Sequence, residues 1–468
     1  MFQSPRLFFF AFVAVLGGFL FGFDSGVING TVDALSLALG SNAAVTGFNV
    51  ASMLLGCAAG ALLAGRLADR FGRRRVLIVA AAAFIVSAWG SGIATGSAEF
   101  VFYRVLGGLA VGAASVIVPA YISEIAPAAT RGRLGTLQQL AIVLGLAAAF
   151  FSNYGIASAA GGASVTFWLG HQAWQWMFWA EILPAGLFLV LLFFIPESPR
   201  YLVVAGRDAE ALRILRLVLS EEAATQRLVE IKASFAVDHR PRFSDLRDHV
   251  RNRLHPIVWI GIGLAVLQQL TGINVIFYYG AVLWTAAGFA ESDALLINVL
   301  TATINVVTTI AALLLMDRAG RRKLLLIGSV GMTVFLLGIA LIFGFAGETV
   351  NGQLQLSQAA GIAALLCANL YVISFAVSWG PAVWVLLGEM FPNRFRGAAI
   401  GLAGLAMWLA NFTITLTFPM LLSGLGLASA YFIYAAFGLV SFFFVRRLVA
   451  ETNGRELESM SDGSELAR

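Results

Sequence analysis

Charge is scarce in this sequence. Only 12% of its 468 residues are Asp, Glu, Lys or Arg, while 59% are apolar. A soluble chain of that length needs a far more polar surface, so the composition excludes a soluble globular protein. Cysteine is nearly absent: Cys57 and Cys367 are the only two, and both fall inside apolar runs. That leaves no disulfide, metal site or redox chemistry to expect. There is no nucleophile–base set, metal-ligand cluster or phosphate loop, so neither an enzyme nor a cofactor is implied. Lysine occurs twice against 28 arginines, an imbalance that genomic base composition can explain.

What the chain has instead is apolar runs, each long enough to cross a hydrocarbon core of about 30 Å. Twelve are placed, near 7–30, 44–67, 75–95, 100–123, 134–157, 173–195, 255–285, 293–316, 323–346, 358–388, 396–422 and 426–448. The expected fold class is an all-α membrane protein with twelve transmembrane helices in the lipid bilayer. A secretory signal is not read at the N-terminus, because the first run is too long, contains Asp24 and shows no small-residue cleavage site.

Basic residues are missing from one side. Apart from Arg104, inside the fourth span, every Lys and Arg falls at the N-terminus, in even-to-odd loops, in the central segment or in the C-tail. None lies in the opposite loops, such as 31–43 or 347–357. By the positive-inside rule both termini are cytoplasmic, in a cell (inner) membrane. The net charge of +5 therefore speaks of topology, and no nucleic-acid partner is expected.

The longest polar stretch, 197–254, holds 11 basic and 9 acidic residues. Leu212, Leu215 and Leu219 recur there at helical spacing, as in short amphipathic helices on the cytoplasmic face; a solvated linker is the plainer alternative. The expected organisation is a six-helix bundle at 1–196, this linker at 197–254, a second bundle at 255–450 and a tail at 451–468.

The two bundles repeat one another. Asp69-Arg70-Phe71-Gly72-Arg73-Arg74 follows the second span and Asp317-Arg318-Ala319-Gly320-Arg321-Arg322 follows the eighth. Glu124, Pro127, Arg131 and Gly132 follow the fourth span, and Glu389, Pro392, Arg396 and Gly397 follow the tenth at the same offsets. Glu197 follows the sixth span and Glu451 the twelfth. Parallel repeats of this kind build transporters that rock two halves around a central site. The arginines could simply anchor loops to headgroups, but interleaved acids at fixed offsets fit a cytoplasmic latch of ion pairs.

These motifs, together with Gln268-Gln269-Leu270-Thr271-Gly272-Ile273-Asn274, Pro196-Glu197-Ser198-Pro199-Arg200 and the run from Trp379 through Trp384 to Pro392, resemble the sugar porter family of the major facilitator superfamily. The resemblance runs from about residue 7 to 460 and is nearest to bacterial glucose/proton and xylose/proton symporters. It implies a 6+6 helix bundle, alternating access, a monosaccharide substrate and a functional monomer. Glucose leads, with xylose, galactose, fructose or a polyol left open. A proton-independent facilitator and, at a lower rank, a sugar sensor also remain open.

A sugar needs amides and hydroxyls that both donate and accept, plus aromatic faces. The resemblance assigns Gln139 (fifth span), Gln268, Gln269 and Asn274 (seventh) and Asn305 (eighth) to polar contacts, and Trp384 and Trp408 to aromatic ones; Tyr278 follows on the seventh span. On an ideal helix Gln269 and Asn274 point about 140° apart. Gly272, between them, could break the helix and turn both toward one cavity, or serve only as a packing notch. Leu146 and Met407 depart from the xylose-transporter pattern, and Ala450 and Asn453 depart from the C-terminal motif.

Three charged residues lie well inside spans: Asp24, Arg104 and Glu181. At about 1.5 Å per residue they fall roughly 9, 6 and 12 Å from the outer ends of the first, fourth and sixth spans. The resemblance gives them the roles of acid, arginine and second acid in proton coupling. Protonation of Asp24 and its pairing with Arg104 would exclude each other. A permanent ion pair that only fixes helices is the structural alternative.

Overall fold

The computed structural model describes residues 5–237, 246–248, 253–350, 353–392 and 395–452. Among them, eleven helices are long and apolar enough to cross a membrane. The last of these, Arg396–Leu448, is two spans read as one: Gly426, at φ +79° and ψ 169°, interrupts it. That gives the twelve crossings expected from the sequence. The remaining span-length elements are Pro5–Val27, Ala43–Phe71, Arg73–Ile93, Ser97–Ile125, Ala128–Ala160, Ala173–Leu192, Pro256–Ala286, Glu291–Ala319, Arg321–Phe345 and Gln358–Met390.

Three spans are discontinuous where the proposed chemistry lies. The sixth divides into Ala173–Ala180 and Ile182–Leu192, with Glu181 at the junction. The seventh divides into Pro256–Leu270 and Ile273–Ala286 at Gly272, whose φ of +82° is left-handed. The tenth divides into Gln358–Val377 and Trp379–Met390 at Ser378. Of the two readings of Gly272, the helix break is the one adopted by the chain.

The helices pack as two compact units, and these do not follow the sequence halves. One joins the described residues up to Ser25, Leu55–Ala149 and Gln175 into the linker. The other joins Gly26–Leu54 and Phe150–Trp174 to the second half of the chain. Within the first unit, small residues allow backbones to touch. A Cβ on Gly22 would lie 1.9 Å from the Ile142 carbonyl oxygen, and one on Gly145 equally near that of Phe19. The first and fifth spans therefore meet at a seam only glycine permits, the usual route to close packing in lipid.

The linker is a small helical assembly. Pro199–Val204, Asp208–Val218 and Glu221–Val237 pack through Leu202, Ala211 and Ile214 on one side and Leu215, Ala224 and Ile231 on the other. The buried stripe is Ala211, Ile214, Leu215 and Val218; Leu212 and Leu219 are only half-buried. Both pack against the Leu215, Ala224 and Ile231 cluster, so the three leucines mark one edge of the inner face.

Candidate functional site

The first unit buries the three intramembrane charges together. Asp24, Arg104 and Glu181 are each 1% exposed. Arg104 Nη1 is ion-paired with Asp24 Oδ1, and its Nη2 donates to the Asp24 backbone carbonyl at 3.3 Å. The guanidinium lies 5.8 Å from the centre of the Phe178 ring. Gly107 opens the space, since a Cβ there would sit 2.9 Å from Asp24 Oδ2. The charges that act on Glu181 are those of Asp24 and Arg104. Asp24 Oδ2 and Glu181 Oε1 are both buried without a hydrogen-bond partner among the described residues. A buried carboxylate oxygen left without a donor is costly, by about 1–3 kcal/mol.

The second unit gathers three of the amides. Across the Gly272 break, Asn274 Nδ2 donates to Gln269 Oε1 at 2.5 Å, Gln269 Nε2 donates to Gln268 Oε1 at 3.1 Å, and Gln268 Nε2 donates to the Trp379 carbonyl at 2.7 Å. A residue pair about 140° apart on a straight helix is thus in contact. The chain of amides ends on the break of the tenth span, where Trp379 in turn donates from Nε1 to Ser329 Oγ at 3.0 Å. Asn305, Tyr278, Trp384 and Trp408 stand in the same unit on the eighth, seventh, tenth and eleventh spans. Trp384 is 42% exposed, whereas Trp408 and its neighbour Met407 are buried. Gln139, half-buried on the fifth span, belongs to the first unit.

The duplicated cytoplasmic motifs form two copies of one network. Glu197 Oε1 accepts from the backbone N–H groups of Arg73 and Ser198 at 2.9 and 2.8 Å, capping the helix that starts at Arg73. Glu451 accepts from Arg321 N and Arg322 N at 2.9 and 3.0 Å at the start of the ninth span. Arg73 pairs with Glu124 and Asp69 at 3.0 Å, and Arg321 with Glu389 at 3.0 Å. Ser198 Oγ donates to Glu124 and Thr452 Oγ1 to Glu389, the latter at 2.6 Å. Gly72 and Gly320 precede the two helices at φ +95° and +82°, and a Cβ on either would strike the capping carboxylate at 2.3 or 2.8 Å. Each of these contacts joins residues of a single half. Arg70 is exposed with its guanidinium 5.2 Å from the Phe71 ring centre, and Arg396 Nε donates to the Phe391 carbonyl at 3.0 Å. The side chains of Arg131, Asp317 and Arg318 lie outside the described residues, as does Asn453.

Sequence reasoning left several contributors without a role. Ser198 and Thr452 bridge the acids at both cytoplasmic networks, and Arg74 and Arg322 tie their helices to the carbonyls of Leu192 and Arg446 at 2.8 and 2.9 Å. Asn29, near the far end of the first span, bonds Phe277 and Asn298 at 2.9 and 2.8 Å. Gly280 makes room for both amides: a Cβ there would lie 2.2 Å from Asn298 Oδ1 and 2.9 Å from Asn29 Nδ2.

Residues 10–463 match the family described as sugar (and other) transporter. The chain is 53% identical over 449 residues to a glucose transport protein of Synechocystis sp., covering 96% of this chain and 95% of that one. It is 37% identical over 498 residues to the D-xylose-proton symporter of Escherichia coli, covering 98% and 96%. The solved partially occluded inward-open structure of the xylose transporter from E. coli superposes with a TM-score of 0.83 at 37% identity, covering 97% of this chain and all of that one. The same symporter bound to 6-bromo-6-deoxy-D-glucose gives 0.78 over 98% and 99% of the two chains.

Proposed function

The chain belongs to the sugar transporter family, and from that premise we propose that it is a proton-coupled symporter importing a monosaccharide, D-glucose, by alternating access. It is a multi-pass membrane protein and a transporter, not an enzyme. In the proposed topology both termini are cytoplasmic, the functional unit is a monomer in the inner membrane, and bundles 1–196 and 255–450 are the moving repeats. The tail at 451–468 and the linker at 197–254 lie on the cytoplasmic side.

The observation that carries the proton assignment is the buried Asp24–Arg104 pair beside Glu181. An ion pair at membrane depth with two orphaned carboxylate oxygens is poor design for stability alone. A proton arriving at Asp24 competes with Arg104 for the same carboxylate. Once Asp24 is neutral, the guanidinium is free to turn to Glu181. The amide chain of Gln268, Gln269 and Asn274, with Gln139, Asn305 and Tyr278, supplies donors and acceptors for sugar hydroxyls. Trp384 and Trp408 supply aromatic faces. The cytoplasmic clusters, Asp69, Arg70, Arg73, Glu124, Arg131 and Glu197 with Asp317, Arg318, Arg321, Glu389, Arg396 and Glu451, form the inner latch.

Coupling matters energetically. One charge moving through 100 mV contributes about 2.3 kcal/mol and one pH unit about 1.36 kcal/mol, enough for roughly 500-fold accumulation. The test is labelled glucose uptake in transport-deficient cells, with and without a protonophore. Accumulation abolished by the protonophore is expected. Uptake that survives it and levels at the outside concentration would leave a facilitator, and absence of glucose uptake or competition would remove the substrate assignment.

A further inference from the structure

The break at Gly272 leaves backbone groups that a continuous helix would satisfy. In a regular helix the Thr271 carbonyl would accept from Val275 N–H and the Gln268 carbonyl from Gly272 N–H. Here Val275 N–H instead donates to the Gly272 carbonyl at 3.1 Å, and Gly272 N–H to the Gln269 carbonyl at 3.0 Å. Both displaced acceptors are taken up by side chains. Thr271 Oγ1 donates to the Gln268 carbonyl at 3.1 Å. Tyr371, fully buried on the tenth span, donates its hydroxyl to the Thr271 carbonyl at 2.9 Å. From the other side the Tyr434 ring covers Gly272, 2.6 Å from where a Cβ would be.

We infer that Tyr371 is a positioning residue for the sugar site: its hydroxyl holds the seventh span bent, and the bend is what brings Asn274 onto Gln269. The inference rests on the sugar-binding reading of those two amides. Without the hydroxyl, a buried carbonyl is left unpaired, which membrane surroundings penalise. The donor a regular helix would supply is Val275 N–H, and taking it straightens the helix. A straight helix returns Asn274 and Gln269 to directions about 140° apart. Tyr371 does not touch the sugar in this scheme; it acts through the break. Its partner is a backbone carbonyl created by Gly272, so Tyr371 and Gly272 work as one device.

Tyr371→Phe keeps the ring and removes only the hydroxyl. Glucose Kd, measured by calorimetry on detergent-purified protein, is expected to rise about 3- to 10-fold. Hydrogen exchange is expected to change in the peptide spanning 268–276 and not elsewhere. Tyr121→Phe is the matched control, since its hydroxyl on the fully buried fourth-span ring also donates to a backbone carbonyl, that of Pro196, at 2.9 Å. It is expected to lower the melting temperature comparably while leaving Kd in place. Equal weakening of glucose by both variants, or an unchanged Kd and exchange pattern in Tyr371→Phe, overturns the inference. If Tyr371→Phe yields no folded protein, Thr271→Val removes the other side-chain bond at the break and carries the same expectations. Wild-type protein that binds no sugar would defeat the functional reading alone, because exchange at 268–276 in Tyr371→Phe still reports on the break.

Discussion

Asn29 Oδ1 accepts a hydrogen bond from Asn298 Nδ2 at 2.8 Å across 269 positions of sequence, and both residues are at most 2% exposed. Asn29 also donates to the Phe277 carbonyl at 2.9 Å and accepts from Ala281 N–H at 3.3 Å. One amide thus ties the distal end of the first span to the seventh and eighth. These contacts lie within a single compact unit, in which 26–54 and 150–174 pack with the second half. In the proposed topology they close the outer side.

Gly280→Ala is expected to obstruct that closure. Its Cβ would fall 2.2 Å from Asn298 Oδ1 and 2.9 Å from Asn29 Nδ2, so the three elements cannot approach as they do here. Asn29→Ala should act in the same direction by a milder route, losing hydrogen bonds worth about 0.5–1.5 kcal/mol each. The measurement is labelling of a cysteine introduced at Ile28, which is 1% exposed, by a membrane-impermeant maleimide applied to whole cells. Faster labelling in both variants is expected; unchanged labelling would show that these contacts do not set outer access.

Asp24→Asn should separate binding from accumulation. The asparagine keeps the shape but can neither take up a proton nor offer Arg104 a charged partner. Uphill glucose uptake is expected to vanish, while counterflow exchange of labelled for unlabelled glucose persists. Accumulation at the wild-type level would assign Asp24 to a permanent structural pair. Glu181→Gln should weaken accumulation too, by removing the second site to which Arg104 can turn.

Much of this arrangement was legible because membrane burial makes polar residues conspicuous. Asp24, Arg104 and Glu181 stood out as lone charges, and helix direction alone predicted that they share a depth. Gly272 was legible only in part: a break there would turn two amides from opposite faces toward one cavity, but a packing notch fitted the same residues. Asn29 was not, since a single amide in an apolar run reads the same whether it packs or gates. Its partner, Asn298, lies 269 residues away. Tyr371 was hidden for a similar reason: its partner is a carbonyl that exists as a free acceptor only once the seventh span is broken. Glu197 and Glu451 were read as ion-pair partners from their charge. Their backbone-capping role depends on Gly72 and Gly320 turning the chain, which spacing does not reveal.

Glu197→Gln and Glu451→Gln should give parallel losses, because the two acids occupy equivalent positions. Each accepts from several backbone N–H groups at a helix start, where negative charge is also favoured by the helix dipole. Hydrogen bonds to a charged acceptor are worth about 1.5–3 kcal/mol, so a lowered melting temperature and roughly 10-fold slower transport are expected in either variant. A large effect in one and none in the other would argue that only one copy of the network functions in the latch.

Met407 offers a test of specificity. It is buried directly before Trp408, at the position where the xylose-transporter pattern carries an amide. A thioether adds polarizable apolar surface but at most a weak acceptor. An amide there would offer a donor and an acceptor to a sugar hydroxyl. Net gain from one such bond is about 0.5–1.5 kcal/mol, or roughly 2- to 12-fold in affinity. Met407→Gln is therefore expected to improve xylose competition against labelled glucose by a factor in that range, with Leu146→Gln adding to it only if Leu146 also faces the sugar. Glucose uptake should remain, because the chain from Asn274 through Gln269 to Gln268 does not involve Met407. If the variant leaves the ratio of the two sugars unchanged, residue 407 packs beside the tryptophan without reaching the substrate, and selectivity must be sought at Asn305 or Gln139.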